Sequence, residues 1–353
     1  MTESIRISEQ VKWCFTARAP LAAIGLKVCA LQLFEPIAQR VKISQKTVKY
    51  TPTEKLHDSF VNILAGGHGM VEINKRIRPD RGLQVAFGRT GCAEQSVAQD
   101  TLDACTAENV EQMYQAMQVI YRRHSDGYRH PYDQEWQLLD IDLTGRPCGK
   151  KAELAKKRYF AHQRNRRGRQ VGYVIATRYD EIVVERVYDG QAQLSQALPG
   201  LVEATEQTLK LGKAKRQRTI LRVDAGGGSV DDVNWALGRG YHFHGKDYSA
   251  NRVKTLVGDV AWVSDPKDTD RQFGWVTSPE HLYCRPLRRI AVRCRQKDGQ
   301  WAQGIILSSL PPRTVLQLTG QAPERIRDPL AVLCLCVLVR PARRWRRDRD
   351  QGR

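Results

Sequence analysis

The sequence has no long hydrophobic run: its most apolar stretch, from Leu330 to Val339, is about half the length that spans a bilayer. A mean hydropathy of −0.51 and 27% charged residues also exclude an integral membrane protein. Residues 1–13 lack a basic start followed by an apolar segment, so no secretory signal is expected. The nine cysteines are odd in number and contain no CxxC pair, which argues against a disulfide framework and favours reduced thiols in a cytoplasm.

Acidic residues are scarce relative to basic ones. The 353 residues include 57 Lys and Arg but only 38 Asp and Glu, which leaves a formal net charge of +19. Such a surplus attracts polyanions, of which nucleic acid is the commonest. Apolar residues make up 41% of the chain, enough to fill a sizeable core, and the length has room for about two or three domains. We therefore expect a globular protein whose partner is nucleic acid.

The N-terminal part of the chain is expected to be helical. Residues 1–50 form an N-terminal segment of mixed character, and residues 51–130 are predicted to form a helical, DNA-binding domain. Apolar residues recur there at helical spacing in two stretches: Leu56, Phe60, Ile63 and Leu64, then Val110, Met113, Met117 and Ile120. Between them, residues 94–102 predict a short helix. A helix-turn-helix that contacts DNA has this pattern, and so does an ordinary small helical bundle, so both interpretations stay open.

From residue 131 the pattern changes to strands and helices. The predicted order is three strands, helix, strand, helix, strand: Trp136–Thr144, Val171–Arg178, Ile182–Val187, residues 191–211, Thr219–Asp224, Asp231–Leu237 and Tyr241–His244. This order is typical of an RNase H-like α/β fold, in which carboxylates lie on a central strand and on its neighbour. The predicted fold class is therefore α/β, with an all-α N-terminal region, an RNase H-like catalytic core over residues 131–255 and a β-rich insertion over residues 256–333.

Two aspartates occupy matching positions in this pattern. Asp142 and Asp224 each lie toward the C-terminal end of an apolar strand, so a sheet that placed these strands side by side would bring both carboxylates to one edge. Phosphodiester cleavage and transfer need an activated oxygen nucleophile and a stabilised leaving oxygen, which two divalent cations supply. Mg²⁺ prefers carboxylate oxygens. The alternative from spacing alone is that both aspartates cap turns at strand ends.

The sequence resembles the DDE transposases of bacterial insertion sequences between Tyr50 and about Leu330. The segments that carry the resemblance are Leu139–Gly145, with the family pattern D-x-T, Leu221–Gly228, with an Asp before a Gly-rich turn, and the helical segments Lys55–Asp58, Ile63–Gly66, Phe87–Gly88 and Glu94–Ser96. The D-x-T pattern makes Asp142 the first acid of the family, with Asp140 as the alternative, and the second motif makes Asp224 the second acid. Together these segments are far more specific than either aspartate alone.

The resemblance implies a function. It implies two Mg²⁺ ions held by Asp142 and Asp224, cleavage at the ends of the element by water, and attack of the freed 3′-OH on target DNA. The implied partner is double-stranded DNA, on which the protein is expected to act as a dimer. The implied location is the bacterial cytoplasm, in association with the nucleoid, without a membrane. Which end sequence the protein binds is not encoded in any recognisable motif.

The family's third acid is absent from the frame that is translated. It is a Glu on a helix after the β-rich insertion, within a Tyr…Arg…Glu…Lys pattern, and residues 334–353 do not contain it. Codons permitted for Arg340–Gly352, read one nucleotide later, encode DQRGGGVETEIK, and Val339 permits a preceding Tyr. The hypothesis is that a frameshift near Cys334 has replaced the motif by an out-of-frame, Arg-rich tail, so that the catalytic triad is incomplete. The alternative is that residues 334–353 are an ordinary apolar turn and a DNA-binding tail.

A basic run with interleaved aromatic residues follows the Asp142 strand directly. Its predicted DNA-binding residues are Lys150, Lys151, Lys156, Lys157, Arg158, Arg164, Arg166, Arg167 and Arg169. Contact with phosphates is one interpretation and a solvated loop is the other. The resulting prediction is a DDE transposase that performs Mg-dependent strand cleavage and strand transfer but is inactive without its third acid. The alternatives are a non-catalytic DNA-binding remnant or regulator of transposition, and a nuclease on the same fold.

Overall fold

A computed structural model of the chain describes residues 14–46, 49–160, 163–247, 249–265 and 268–310. The chain forms two compact units that divide between His124 and Ser125, a little before the boundary expected at residue 130. Residues 311–353, on which the frameshift hypothesis depends, lie outside the described residues. None of the helices in the described ranges is both long and apolar enough to cross a membrane.

The described part of the first unit is built from helices and turns. Its helices are α1 (Ala19–Ala30), α2 (Glu35–Arg40), α3 (Pro52–Leu64), α4 (Arg81–Ala86), α5 (Gln95–Asp103) and α6 (Ala107–His124), with a π-helical turn at Ile73–Ile77. Helix α3 begins with a capping box, in which the Thr51 side chain and the Glu54 side chain each accept a hydrogen bond from the other's backbone N–H. One apolar cluster packs Val61, Ile73, Leu83 and Phe87 together, and a second joins α2 to α6.

A buried ion pair ties two parts of this unit together. The guanidinium of Arg89 donates from Nε to Asp58 Oδ1 at 3.0 Å, and the Asp58 carboxylate also accepts from the Ala93 backbone N–H at 2.8 Å. Both side chains are almost fully removed from solvent. Arg89 also pairs through Nη1 with Glu54 at 2.5 Å. Removal of Arg89 therefore leaves the buried Asp58 carboxylate without its ion-pair partner, whereas removal of Asp58 leaves Arg89 paired with Glu54.

The second unit contains a sheet and the helices that pack on it. Its strands are β1 (Gln137–Pro147), β2 (Lys156–Phe160), β3 (Gln163–Ala176), β4 (Glu181–Tyr188), β5 (Thr219–Val223), β6 (His242–Lys246), β7 (Val263–Asp265), β8 (Asp268–Trp275), β9 (Arg288–Arg295) and β10 (Trp301–Ser308). Its helices are α7 (Leu194–Leu209), α8 (Lys213–Arg216), α9 (Val230–Gly238) and α10 (Ala250–Leu256). The expected succession of strands and helices is therefore present, with β2 and α8 in addition.

In the described residues these strands form one mixed sheet with the order β2-β3-β1-β5-β6-β10-β9-β8-β7, and β4 pairs with β3. Strand β1 is antiparallel to β3 and parallel to β5, and β5 is parallel to β6. A large mixed sheet with helices confirms the α/β prediction. The strands of the expected β-rich insertion continue this sheet, because β10 pairs antiparallel with β6.

Helix α7 covers one face of the sheet. Its Leu201 packs so closely on β3 that a Cβ added to Gly172 would lie 2.9 Å from Leu201 Cδ1. Side chains alternate between the two faces of a strand, so Leu139, Ile141 and Leu143 of β1 face α7, whereas Asp140 and Asp142 belong to the opposite face. We call the latter the acid face and the former the α7 face.

The basic run of residues 156–169 forms strands, which the sequence analysis did not predict. It forms β2 and the first half of β3, joined in an antiparallel pair with Lys157 opposite Arg167. Charged residues of one sign fill both faces of these strands, so the alternation of apolar and polar residues that predicts a strand is missing. Packing of Phe160 fixes the pair instead: Phe160 is 2% exposed, and Cβ atoms added to Gly145 and Gly168 would lie 2.7 and 2.9 Å from its ring.

Candidate active site

Strands β1 and β5 bring Asp142 and Asp224 together. The parallel register pairs Ile141 with Val223; Asp142 is the next residue of β1, and Asp224 is the residue that directly follows β5. Equivalent positions on parallel neighbours share a face and are separated by about 5 Å between strands. Asp142 and Asp224, which are far apart in the sequence, therefore lie side by side, Asp142 midway along β1 on the acid face and Asp224 just after the C-terminal end of β5.

The pKa of Asp142 is affected both by burial and by the nearby Asp224. Burial and, to a smaller extent, the nearby Asp224 carboxylate together raise the pKa of its carboxyl from 3.8 to about 6, against a hydrogen bond from the Leu143 N–H that acts in the opposite direction. Asp224 itself is exposed. The pair is therefore a site of uncompensated negative charge, half in solvent and half in the protein.

Both aspartates also make local hydrogen bonds to the main chain. Asp142 Oδ1 accepts from the Leu143 N–H at 2.8 Å, and Asp224 Oδ1 accepts from the Gly226 N–H at 2.8 Å, where it caps the 3-10 turn Ala225–Gly227. Capping of turns at strand ends is therefore part of their role. It occupies Oδ1 in each case, and within the described residues Oδ2 of both carboxylates makes no hydrogen bond, which leaves it available to a cation.

Asp140, the alternative first acid, has a different environment. It lies directly opposite Arg222 in the β1–β5 register, and Arg222 donates from Nε to Asp140 Oδ1 and from Nη2 to Oδ2. This bidentate geometry is the strong form of the Arg–carboxylate ion pair. Since the charge of Asp140 is compensated and that of Asp142 is not, Asp142 is the better candidate for a metal ligand.

A buried histidine extends this row of side chains. His244 on β6 is in register with Arg222, is 6% exposed, and its Nδ1 lies 3.3 Å from Ser308 Oγ. Burial and the Arg222 charge lower the pKa of His244 to about 4, so the imidazole is neutral at pH 7. Arg222 is thus fixed between Asp140 and an uncharged neighbour, beside the Asp142–Asp224 pair.

The residues present fit a hard divalent cation. Two neighbouring carboxylates provide oxygen ligands of the type that Mg²⁺ prefers, and the Asp224 carboxylate is, after burial, a cause of the raised pKa of Asp142. Among the described residues, however, no group of three or more His, Cys, Asp and Glu side chains is arranged to hold a metal. Asp142 and Asp224 therefore form a pair of candidate ligands rather than a complete cage.

The predicted DNA-binding residues lie in the segment that follows β1 and in strands β2 and β3. Lys150, Lys151, Lys156, Lys157, Arg158, Arg164 and Arg166 are exposed, and Arg167 and Arg169 are partly buried. Three of the arginines also bind main-chain carbonyls: Arg158 donates to Gln191 and Ala192, Arg167 to Ala155, and Arg169 to Glu153. The run is thus an ordered part of the sheet and not only a solvated loop.

Two residues near the site were missed by the sequence analysis. Arg222 appears in an apolar strand with an Asp two positions later, and its partner Asp140 is 82 positions away, so only the β1–β5 register reveals the ion pair. Arg146 belongs to β1 and lies opposite Arg169 of β3. The pattern Asp142-x-x-x-Arg146, read with period two along a strand, was a signal that placed Arg146 on the same face as the acid.

No protein-family model matches the chain, and no curated protein matches it. Among solved structures, the chain is similar to piggyBac transposase in its synaptic complex with hairpin DNA, with a TM-score of 0.45 and 10% sequence identity. The match covers 80% of this chain and 60% of the transposase chain, so this protein spans less than two thirds of that length. Function is therefore inferred from the residues of the site.

Proposed function

We propose that the chain is a DDE transposase of the bacterial insertion-sequence type, with an RNase H-like core in its second unit. The observation that carries the proposal is the convergence of Asp142, midway along β1, with Asp224, just after the end of β5. The strand order β4-β3-β1-β5-β6, with β1 antiparallel to β3 and parallel to β5, supports the RNase H-like assignment. The net charge of +19 supports DNA as the partner.

Each group at the site has a proposed role. Asp142 and Asp224 would hold Mg²⁺, which when bound activates an oxygen nucleophile and stabilises the leaving oxygen of a phosphodiester. A pKa of about 6 leaves Asp142 largely ionised at pH 7 and therefore able to bind a cation. Arg222 keeps Asp140 paired, so that Asp140 does not compete for the ion. The basic residues that follow β1 supply contacts to DNA phosphates.

The third carboxylate of such a site is proposed to be lost from the translated frame. A frameshift near Cys334 would replace the Glu-bearing motif with the Arg-rich residues 340–353. With two carboxylates in place of three, metal occupancy and cleavage would fall by orders of magnitude. The nucleotide sequence of the gene tests this directly: a downstream frame that encodes the Glu supports the frameshift, and a downstream frame without it disproves it.

A non-catalytic DNA-binding remnant, or a regulator that occupies the element ends, is the second candidate function. The observation that favours it is that the described residues provide only a pair of acidic ligands. Such a protein binds DNA in a salt-dependent manner but does not cleave it, with or without Mg²⁺.

One experiment separates the two functions. The chain as given and a frame-corrected chain that carries the downstream Glu are incubated with Mg²⁺ and duplexes from either side of the gene. The transposase proposal predicts strand cleavage by the corrected chain, abolished by Asp142→Asn or Asp224→Asn and retained by the matched control Asp140→Asn. Salt-sensitive binding without cleavage by either chain would favour the regulator and contradict the enzyme.

A further inference from the structure

We propose that the DNA strand that reaches Asp142 and Asp224 runs along the acid face of β1, β2 and β3, and that cations on the α7 face of the same strands lie outside its path. This inference rests on the proposed function and deepens it. The sequence shows a single basic run, whereas the structure divides that run between two faces of the sheet.

The β-sheet registers show on which face of the sheet the paired cations of β1, β2 and β3 lie. Cross-strand partners share a face and residues two apart along a strand share a face. Asp142 is therefore on the same face as Arg146, its fourth neighbour along β1. Arg146 lies opposite Arg169 of β3, and Arg167, two residues away, lies opposite Lys157 of β2. Arg146, Lys157, Arg167 and Arg169 thus share the acid face.

The segment between β1 and β2 adds to the same face. Residues 148–155 connect two strands on opposite sides of β3, and Arg167 and Arg169 bind the Ala155 and Glu153 carbonyl oxygens of this segment. Since these arginines belong to the acid face, the segment crosses β3 there and brings the exposed Lys150 and Lys151 to that side.

Most of the remaining cations belong to the α7 face. Arg158 follows Lys157 and donates to the Gln191 and Ala192 carbonyl oxygens at 3.1 and 2.9 Å, just before α7 begins. Arg166 lies opposite Arg158, and by alternation along β2 Lys156 shares that face. The register shifts between Arg158 and Phe160 and Asn165 has a φ of 56°, so alternation assigns no face to Arg164. Lys156, Arg158 and Arg166 therefore lie on the side of the sheet away from Asp142.

The acid-face cations form two like-charged pairs whose members repel each other, and a bound polyanion would reduce this repulsion. Arg146 lies opposite Arg169, and Lys157 lies opposite Arg167, and like charges directly opposite each other destabilise a pair of strands. Phosphates bound along this face would compensate both pairs. The α7-face pair Arg158–Arg166 differs, because Arg158 already donates to two carbonyl oxygens.

Strand geometry gives the reach of this path. Arg146 is four residues beyond Asp142, about 13 Å along an extended strand. At a rise of about 3.4 Å per nucleotide, Arg146 would contact a phosphate about four steps from the reacting one. Lys157 is farther in the same direction, because β2 extends past the end of β1. The path therefore begins at the acid pair and follows β1.

Matched double variants test the division by face. Arg146→Gln/Lys157→Gln removes two exposed acid-face charges, and Lys156→Gln/Arg166→Gln removes two exposed α7-face charges from β2 and β3. Affinity for a duplex from one side of the gene is measured by fluorescence anisotropy in EDTA over a range of salt. Thermal unfolding checks that both variants fold.

The acid-face variant is expected to bind about 50-fold more weakly at 0.1 M salt, with a log K versus log salt slope smaller by about 2, as for two lost phosphate contacts. The α7-face variant is expected to lose less than about fivefold. Equal losses in both variants would overturn the inference and leave DNA binding, and so the proposed function, in place. Wild-type protein that shows no salt-dependent binding would contradict the proposed function itself.

A second measurement tests whether the path leads to the acid pair. In EDTA, Asp142→Asn/Asp224→Asn removes negative charge from beside the bound phosphates and should tighten DNA binding several-fold. If one DNA strand contacts both groups, this gain shrinks at least threefold in the Arg146→Gln/Lys157→Gln background and persists in the Lys156→Gln/Arg166→Gln background, because only contacting groups couple. An identical gain in both backgrounds would refute the path.

Discussion

Replacement of Asp142 by Asn should stabilise the metal-free protein above pH 6. The folded state raises the pKa of Asp142 from 3.8 to about 6, mainly by burial and then by the Asp224 carboxylate. Between these two pH values the folded protein binds a proton that the unfolded chain releases, so wild-type stability falls as pH rises through this window. Asn has the same shape, stays neutral, and keeps an oxygen that can accept from the Leu143 N–H.

The magnitude follows from the shift. A change from 3.8 to about 6 is about two pKa units, and at about 1.4 kcal/mol per unit the ionised Asp142 costs up to about 3 kcal/mol. Residual contact with solvent reduces this figure, so a gain of about 1–3 kcal/mol is expected from Asp142→Asn at pH 8. In a domain of this size, such a gain raises the melting temperature by about 2–10 °C.

Calorimetry in EDTA at pH values from 4 to 8 provides the test. The difference between Asp142→Asn and wild type should grow from pH 4 to about 7 and then remain constant. Asp224→Asn should stabilise less, because it relieves the repulsion but not the burial of Asp142. The matched control Asp140→Asn, on the same strand and face, should destabilise, because it deprives Arg222 of its partner. Destabilisation by Asp142→Asn at pH 8, or a difference that does not change with pH, would refute this account of the site.

Three further predictions concern the scaffold. Asp58→Asn in the first unit should cost about 1.5–3 kcal/mol in chemical denaturation, because the buried Arg89 loses a charged acceptor and keeps Glu54 as its ion-pair partner; a loss below about 1 kcal/mol would contradict a buried charge pair. The pKa of His244 is about 4 in the folded protein and 6.5 ordinarily, so the free energy of unfolding should fall by up to about 3 kcal/mol as the pH drops from 6.5 to 4. His244→Gln should remove that part of the pH dependence. An unchanged pH profile would show that His244 is not buried as a neutral group. Gly190→Ala should lower the melting temperature, because the added Cβ would lie 2.2 Å from the Gly168 backbone oxygen of β3. The control Gly238→Ala, whose added Cβ meets nothing within 4 Å, should not lower it. Equal effects of the two substitutions would contradict the close contact between Gly190 and β3.

The central strands could be predicted from the sequence because their apolar residues alternate with aspartates or are directly followed by one. The segments that became β1 and β5 each end near an Asp, and the expected succession of three strands, helix, strand, helix and strand is present. Helices α3, α5 and α6 were also predictable, since their apolar residues recur at helical spacing.

The strands and ion pairs that were not predicted depend on contacts between distant residues. Strand β2 has no apolar alternation, and its pairing with β3 depends on Phe160 packing over two glycines. The ion pair between Asp140 and Arg222 can be recognised only from the β1–β5 register. That register places Arg222 opposite Asp140 and not opposite Asp142. The same register separates the basic run into two faces, a division that a linear sequence does not display.

Cation binding by the acid pair is the most direct test of the account. Bound Mn²⁺, as a spectroscopic substitute for Mg²⁺, is measured by electron paramagnetic resonance in the frame-corrected chain that carries the downstream Glu and in its single Asp→Asn variants. The account predicts a bound ion that is lost in both Asp142→Asn and Asp224→Asn and retained in Asp140→Asn, whose carboxylate Arg222 occupies. Binding that survives both Asp142→Asn and Asp224→Asn, or that depends on Asp140 instead, would contradict it.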